Sequence, residues 1–119
     1  MGDIKFIANP SVDASEISRD NIQRIFLLTE KSLGKTSHLV PVLNCSGAAY
    51  QIFLKRYIGK TDEALKTYYR NLLFMGRAPM PIRLYSDGRV AEYVANTKGA
   101  IGYVNRVARI RGVKILVVK

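Results

Sequence analysis

Apolar and polar positions along the chain follow two periods, one typical of strands and one typical of helices. Ile4–Ala8 alternates with a period of two, which predicts a strand that ends at Asn9 and Pro10. A helix is predicted to begin after Ser18, with an apolar stripe at helical spacing. The stripe consists of Ile22, Ile25 and Phe26. Ile17, which precedes the helix, can pack on Ile22 as a hydrophobic staple. A second strand is predicted over residues 39–43.

Two amphipathic helices are predicted in the middle of the chain. The first follows Ser46, a residue type favoured at helix N-caps, and is expected to end at Gly59. Its apolar stripe is Tyr50, Phe53, Leu54, Tyr57 and Ile58. The second follows Thr61 and ends before Gly76. Its apolar stripe is Leu65, Tyr68, Tyr69, Leu72 and Leu73.

The last third of the chain is predicted to hold strands at residues 82–85 and 100–104, after a loop at residues 76–81. Between the strands a short helix follows Ser86 and closes at Gly99. Residues from Val113 to Val118 are almost continuously apolar, which predicts a strand buried on both faces. Strands that alternate with helices indicate an α/β layered domain, and 119 residues suffice for one domain.

The chain is strongly basic, with a formal net charge of +10, and no acidic residue follows Glu92. Such a field attracts anions, including phosphate, nucleic acid and acidic membrane surfaces. A solvated basic surface without a specific partner also explains the charge, and it is favoured over specific nucleic-acid binding. The seven tyrosines suggest stacking platforms for nucleic acid, but four of them lie on the two apolar helix stripes, which favours core packing.

Several enzyme chemistries are excluded. Gly34-Lys35-Thr36 and Gly59-Lys60-Thr61 end like a P-loop, but neither has the first glycine of that motif. The single histidine, His38, and the single cysteine, Cys45, stand at opposite ends of a predicted strand, roughly 20 Å apart. This separation excludes a cysteine–histidine dyad, and one residue of each type does not make a usual zinc site. We therefore expect no catalysis, no metal and no cofactor.

One segment has the local features of an anion site. An apolar strand leads into the turn Asn44-Cys45-Ser46-Gly47, and an amphipathic helix follows directly. The first N–H groups of a helix have no partner within the helix, and its dipole favours negative charge at that end. The candidate donors are the hydroxyl of Ser46 and the backbone N–H groups of Gly47 and Ala48. The alternative role of Ser46 is that of a plain N-cap.

Taken in order, several segments resemble the phosphate-type periplasmic substrate-binding proteins of ABC transporters, in particular their short single-lobe relatives. The matching segments are Ile7-Ala8-Asn9-Pro10, Ser18-Arg19-Asp20-Asn21-Ile22-Gln23-Arg24-Ile25-Phe26-Leu27, Leu39-Val40-Pro41-Val42, Phe53-Leu54, Leu73-Phe74-Met75-Gly76-Arg77-Ala78-Pro79-Met80-Pro81 and Thr97-Lys98-Gly99-Ala100-Ile101-Gly102-Tyr103-Val104. Together they extend over nearly the whole chain, and the last segment is the most specific.

The resemblance implies one lobe of the type II periplasmic-binding-protein-like fold over residues 1–119, with a mixed sheet flanked by helices. It also implies non-enzymatic binding of a phosphate-like oxyanion in the cell envelope. Ser46-Gly47 matches the family's Ser-Gly at the helix start, with Ala48 in the place of a threonine. Asn44 and Arg77 are the expected auxiliary residues, Arg77 through its family match alone. Two alternatives stay open, a small basic nucleic-acid-binding domain and an adaptor lobe that binds another envelope protein.

Two further expectations concern the ends of the sequence. A periplasmic or secreted protein needs a leader peptide, so Met1-Gly2 is interpreted as an engineered start that replaces a removed leader. Ile4–Ala8 and the run from Val113 to Val118 are expected to leave apolar surface or an open sheet edge exposed. We therefore predict a homodimer formed through these two strands.

Overall fold

The computed structural model describes residues 3–77 and 79–119 and contains one mixed sheet with helices on both faces. The strands are β1 (Ile4–Ala8), β2 (Glu16–Ile17), β3 (Val40–Asn44), β4 (Ile82–Leu84), β5 (Ala100–Asn105) and β6 (Lys114–Val118). The helices are α1 (Arg19–Phe26), α2 (Gly47–Phe53), α3 (Asp62–Phe74) and α4 (Asp87–Asn96). The predicted α/β class is confirmed. Met1 and Gly2, which were interpreted as an engineered start, lie outside the described residues. The same holds for Ala78 of the predicted loop.

The order of the strands in the sheet is β2-β6-β1-β5-β3-β4. β1 pairs antiparallel with β5 and β6, whereas β3 pairs parallel with both β5 and β4. The C-terminal ends of β3, β4 and β5 therefore lie at the same edge of the sheet. The connections into α2 and α4 start there, and ligands of open α/β sheets bind outside this kind of edge.

Local hydrogen bonds explain why three of the helices begin where the sequence predicts. The hydroxyls of Ser18, Thr61 and Ser86 each accept a hydrogen bond from the backbone N–H three residues later, at 3.0–3.1 Å. Each bond satisfies one of the N–H groups that the first helical turn leaves without a partner. The predicted starts of α1, α3 and α4 are confirmed.

The helix predicted to run from Ser46 to Gly59 changes its geometry midway. Its α-helical part is the seven-residue α2, and Leu54–Ile58 continues it as a π-helical turn. The N–H of Gly59 donates to the carbonyl of Leu54 at 2.7 Å, and Gly59 has a φ of 70°. The predicted stop at Gly59 is confirmed, because glycine adopts this left-handed conformation without a steric penalty.

The sheet separates two cores. On one face, α1, α2 and α3 cover a cluster of aromatic rings in which Phe53 and Tyr103 stack at 4.2 Å between centroids. Its other ring members are Phe6, Phe26 and Tyr57. On the opposite face, α4 packs on β1, β3 and β5 and buries a smaller aliphatic cluster. Tyr50 and Tyr69 are buried on the first face, which confirms core packing for two of the four stripe tyrosines.

The outer part of the sheet departs from two sequence expectations. β6 was predicted to be buried on both faces, but only Leu116 is buried, while Ile115 and Val117 are 51% and 59% exposed. The cause is the extent of α4, which covers β1, β3 and β5 and leaves that side of β6 uncovered. Ile4–Ala8 was expected to leave an edge or apolar surface open. That expectation is wrong, because β1 is paired on both sides.

The C-terminal end of α3 is more exposed than its apolar stripe predicts. Leu65 and Tyr69 are buried, but Leu73 is 50% exposed and Phe74 is 82% exposed. The end of α3 therefore lies at the margin of the core, where Leu73 and Phe74 face solvent. None of the helices in the described residues is long and apolar enough to cross a bilayer.

Candidate functional site

The turn between β3 and α2 is held together by the side chain of Asn44. Its Oδ1 accepts hydrogen bonds from the N–H of Ser46, at 3.1 Å, and from the Ser46 hydroxyl. Ser46 occupies the N-cap position of α2, but its side chain makes no capping hydrogen bond to the helix. The expectation that Ser46 acts as a side-chain cap is therefore wrong, because Asn44 engages the hydroxyl first.

The consequence is that the start of α2 is left open. Gly47 and Ala48 are both exposed, and their N–H groups have no acceptor within the described part of the chain. Gly47 has a φ of 46°, and a Cβ built on it would meet no atom within 4 Å. The backbone at the start of α2 thus lies in a solvent-exposed turn.

Asn44 itself is buried and does not face solvent. Its Nδ2 donates to Asp87 Oδ1 at 2.9 Å and to the carbonyl of Tyr103 at 3.1 Å. Asp87 Oδ1 also accepts the N–H of Asn105 at 3.3 Å. These bonds fasten the turn to β5 and to the first residue of α4, so the geometry makes Asn44 a residue that positions the turn.

Arg77 lies at the other end of the strands. Together with Val40 and Pro41, at the start of β3, it lines a mostly apolar cavity of about 400 Å³. Four residue steps along β3 separate this end from Asn44, about 13 Å at ~3.3 Å per residue. The structure therefore brings Asn44, Ser46, Gly47 and Ala48 together and leaves Arg77 apart from them.

Sequence reasoning missed Arg83, a cationic residue close to the turn. Arg83 is on β4, directly opposite Leu43 of β3. Its Nη1 lies 3.5 Å from Cys45 Sγ, 3.5 Å from the Tyr50 hydroxyl and 3.8 Å from Asp62 Oδ1. The sequence signal for this residue is a cation between two apolar positions of a short strand, and nothing local pairs it with Asp62.

Three titratable side chains around Arg83 have altered pKa values. Burial and the hydrogen bond to Asp62 raise the pKa of Tyr50 to about 12. The same hydrogen bond, at 2.6 Å, lowers the pKa of the Asp62 carboxyl, and Lys66 adds to this effect. Burial raises the pKa of the Cys45 thiol, so Cys45 stays protonated near neutral pH and is a poor nucleophile.

The described part of the chain brings together neither a cysteine–histidine dyad nor a cluster of metal-ligating side chains. His38 precedes β3 and Cys45 follows it, so the strand keeps the two apart. Among the described residues, no group of three or more His, Cys, Asp or Glu side chains is placed to hold a metal ion. What this region offers a ligand is the pair of backbone N–H donors of Gly47 and Ala48, and such donors suit an anion.

Comparisons with known proteins find similarity in fold only. No family model matches this sequence, and no curated protein matches it. An ABC-type phosphate transport receptor from Vibrio cholerae superposes with a TM-score of 0.64 at 15% identity, covering 98% of this chain and 46% of that one. PstS from Borrelia burgdorferi superposes with a TM-score of 0.74 at 19% identity, covering 99% and 47%.

A third similar structure, from Clostridium perfringens, is described as a phosphate ABC transporter substrate-binding protein with bound phosphate. It has a TM-score of 0.72 at 15% identity and covers 98% of this chain and 45% of that one. The resemblance suggested by the sequence is thus confirmed for the fold. This chain spans just under half the length of each of the three structures, which corresponds to the predicted single lobe.

Proposed function

We propose that this chain binds a phosphate-like oxyanion, without catalysis, at the turn where β3 leads into α2. The observation that carries the proposal is the pair of exposed N–H groups of Gly47 and Ala48, which have no acceptor in the described residues. The Ser46 hydroxyl lies beside them and donates to Asn44. Backbone amides at the start of a helical segment are a recurrent way to hold phosphate and sulfate.

The expected affinity is weak. Two or three charge-assisted hydrogen bonds contribute ~1.5–3 kcal/mol each, whereas association alone costs ~4–15 kcal/mol. A single lobe with one short donor set is therefore expected to bind near the millimolar range. A second wall closing over the ligand would raise the affinity, and a partner protein is one way to supply such a wall.

The fold neighbours support a proposal for the cellular role. We propose a periplasmic or secreted protein related to the binding components of phosphate transport. Two of the similar structures are described as an ABC-type phosphate transport receptor and a phosphate ABC transporter substrate-binding protein. The alternative of nucleic-acid binding loses part of its support, because Tyr50, Tyr69 and Tyr103 are buried and cannot stack on bases, although Tyr85 is exposed. The adaptor alternative makes the opposite prediction for phosphate, namely no response.

The proposal is tested by titrating the 15N-labelled protein with sodium phosphate and sodium sulfate and following the backbone amide signals. We expect saturable shifts at Gly47 and Ala48. Ala48→Pro removes one of the two amides at a first-turn position where proline is tolerated, and should weaken binding by roughly tenfold. Gly88→Pro, at the equivalent second position of α4, is the matched control and should bind phosphate as the unmodified protein does.

Ser46→Ala tests the hydroxyl separately, because it removes the Ser46 hydroxyl and leaves the amides of Gly47 and Ala48 in place. A loss of affinity smaller than that of Ala48→Pro is expected if the amides are the main donors. If phosphate moves neither amide at concentrations up to about 50 mM, far above the expected Kd, this proposal is wrong. Binding of DNA or RNA that falls steeply with added salt would then favour the nucleic-acid alternative.

A further inference from the structure

A second set of hydrogen-bond donors lies on the same face of the sheet as α2 and α3, around Arg83. The Arg83 side chain is only 18% exposed. It is held on the edge strand β4 opposite Leu43, and Leu43 belongs to the aromatic core. An arginine at such a position carries a full positive charge in a largely desolvated place.

The hydrogen bonding of this guanidinium is incomplete. Among the described residues, Arg83 Nη2 is the one buried side-chain nitrogen or oxygen without a hydrogen-bond partner. Its Nη1 makes two contacts at 3.5 Å and a longer one of 3.8 Å to Asp62. Buried polar groups in folded proteins are nearly always satisfied, and an exception calls for an ion or a water molecule that completes it.

The charges near Arg83 leave an excess of positive charge. Arg83 borders a cavity of about 310 Å³, which we call the Arg83 cavity. Its lining residues are Cys45, Tyr50, Gln51, Asp62, Lys66, Arg83 and Tyr85. The carboxylate of Asp62 is already engaged, because it accepts from Tyr50 at 2.6 Å and pairs with Lys66 at 3.1 Å. Two cations thus face one carboxylate.

We propose that the Arg83 cavity binds a small oxyanion, either inorganic phosphate or sulfate or the phosphate group of a monoester. Arg83, which lines the cavity, supplies the principal charge. Lys66 supplies the second charge from the mouth of the cavity, where its side chain is 51% exposed. Ser46, Gly47 and Ala48 do not line this cavity, so the inference stands independently of the function proposed above.

Binding is measured by following the guanidinium Nε–Hε signal of Arg83 and the backbone amides by NMR during titration with phosphate, sulfate and glycerol phosphate. We expect a saturable shift of the Arg83 signal. Arg83→Met, which keeps much of the side-chain volume, should weaken the binding seen at the neighbouring amides at least tenfold. Arg109→Met removes the same charge from an exposed loop after β5 and should change it less than twofold.

A folding defect in Arg83→Met would not hide the answer. Lys66→Met alters a half-exposed side chain on the surface of α3, and it should weaken binding a fewfold without affecting the fold. Arg83→Lys keeps the charge but loses the forked donors, and an affinity below that of the unmodified protein is expected. Circular dichroism confirms that each variant is folded before it is titrated.

The outcomes separate the two proposals. Shifts at Gly47 and Ala48 without any at Arg83 overturn the cavity proposal and leave the proposed function standing. A shift of Arg83 that survives Ala48→Pro supports the cavity whether or not the turn binds. Tighter binding of glycerol phosphate than of inorganic phosphate identifies the ligand as the phosphate group of a larger molecule. If no anion gives a saturable shift at Arg83, the inference is wrong.

Discussion

Tyr50 donates a hydrogen bond to Asp62 Oδ1 at 2.6 Å, and this contact joins the first turn of α2 to the first turn of α3. It also sets the charge state of the region around Arg83. A carboxylate that accepts such a bond is harder to protonate, and a phenol that donates it in a partly buried place is harder to ionise. Asp62 therefore keeps its negative charge, and Tyr50 stays neutral far above neutral pH.

A pH titration of one variant tests this coupling. The pKa of Asp62 in the folded chain is below its ordinary value, so its contribution to stability is present above the unfolded-state pKa. That contribution is lost as the pH falls through the lower pKa of the folded chain. Tyr50→Phe removes the hydrogen bond, so we expect the pKa of Asp62 to rise toward its ordinary value in a carboxyl 13C titration.

Tyr68→Phe is the matched control for this prediction. Its hydroxyl donates to the carbonyl of Leu27 at 2.6 Å, away from Asp62, so it removes an equivalent bond without touching the carboxylate. The pKa of Asp62 should stay where it is in the unmodified chain. An unchanged Asp62 pKa in Tyr50→Phe would mean that Lys66 and Arg83, and not the phenol, hold it low.

At the scale of the elements, the first turns of α2 and α4 differ in one feature that matters for the proposed site. Gly47, the first residue of α2, has a φ of 46°, whereas Gly88 in α4 has no positive φ. The left-handed conformation at Gly47 sets how the chain enters α2. It is therefore part of the geometry that exposes the amides of Gly47 and Ala48.

Alanine substitutions at these two glycines should have opposite effects. A Cβ meets no atom within 4 Å at either position, so the difference is conformational and not steric. Gly47→Ala is expected to lower the free energy of unfolding by about 1–2 kcal/mol, the cost of a left-handed residue that carries a Cβ. Gly88→Ala should raise it by about 0.5–1 kcal/mol, because alanine is the better helix former. Urea unfolding measures both, and a loss of stability in both variants would contradict the argument.

The sequence predicts the starts of the helices well because their causes are local. Ser18, Thr61 and Ser86 each bond to an N–H three residues away, a distance that the sequence itself displays. The exposure of Ile115 and Val117 has a different origin. It depends on how far α4 reaches across the sheet, and the apolar run from Val113 to Val118 contains no information about that.

In the candidate site, too, the features with local causes could be predicted and those with long-range causes could not. Asn44, Ser46, Gly47 and Ala48 are neighbours in the chain, so their proximity could be predicted, although the loss of the Ser46 cap depends on the orientation of the Asn44 side chain. Arg83 meets Tyr50 and Asp62 only once β4 pairs with β3, and that register is a long-range property. Arg77 belongs to a segment that matches the family in sequence. In the fold it lies beside Val40 and Pro41 at the start of β3, whereas Asn44 is at the end of that strand.

For the whole molecule, a formal net charge of +10 is combined with exposed apolar side chains, and two groups of these in the described residues are considered as patches. One patch is the uncovered face of β6, where Ile115 and Val117 are more than half exposed. The other is the end of α3, formed by Leu73, Phe74 and Met75. Apolar patches of this kind favour association, whereas two copies of the same charge repel one another.

We predict that the chain self-associates through the exposed face of β6. Of the two strands from which a homodimer was predicted, only this one keeps exposed apolar surface. The β1 half is excluded, because β1 is paired on both sides. Sedimentation should show association at tens of micromolar protein, because that concentration exceeds a dimer Kd on the order of micromolar. Raising the salt from about 0.05 to about 0.5 M should strengthen it, because screening weakens the repulsion between copies.

Two paired variants locate the interface. Ile115→Thr combined with Val117→Thr keeps β-branched side chains in the strand and removes apolar surface, so it should yield a monomer with an unchanged fold. Phe74→Ser combined with Met75→Ser alters the other patch and should leave association intact. The reverse result would place the interface at the end of α3. A strict monomer at high salt would show that the apolar surface of both patches is too small to outweigh the entropy lost on association.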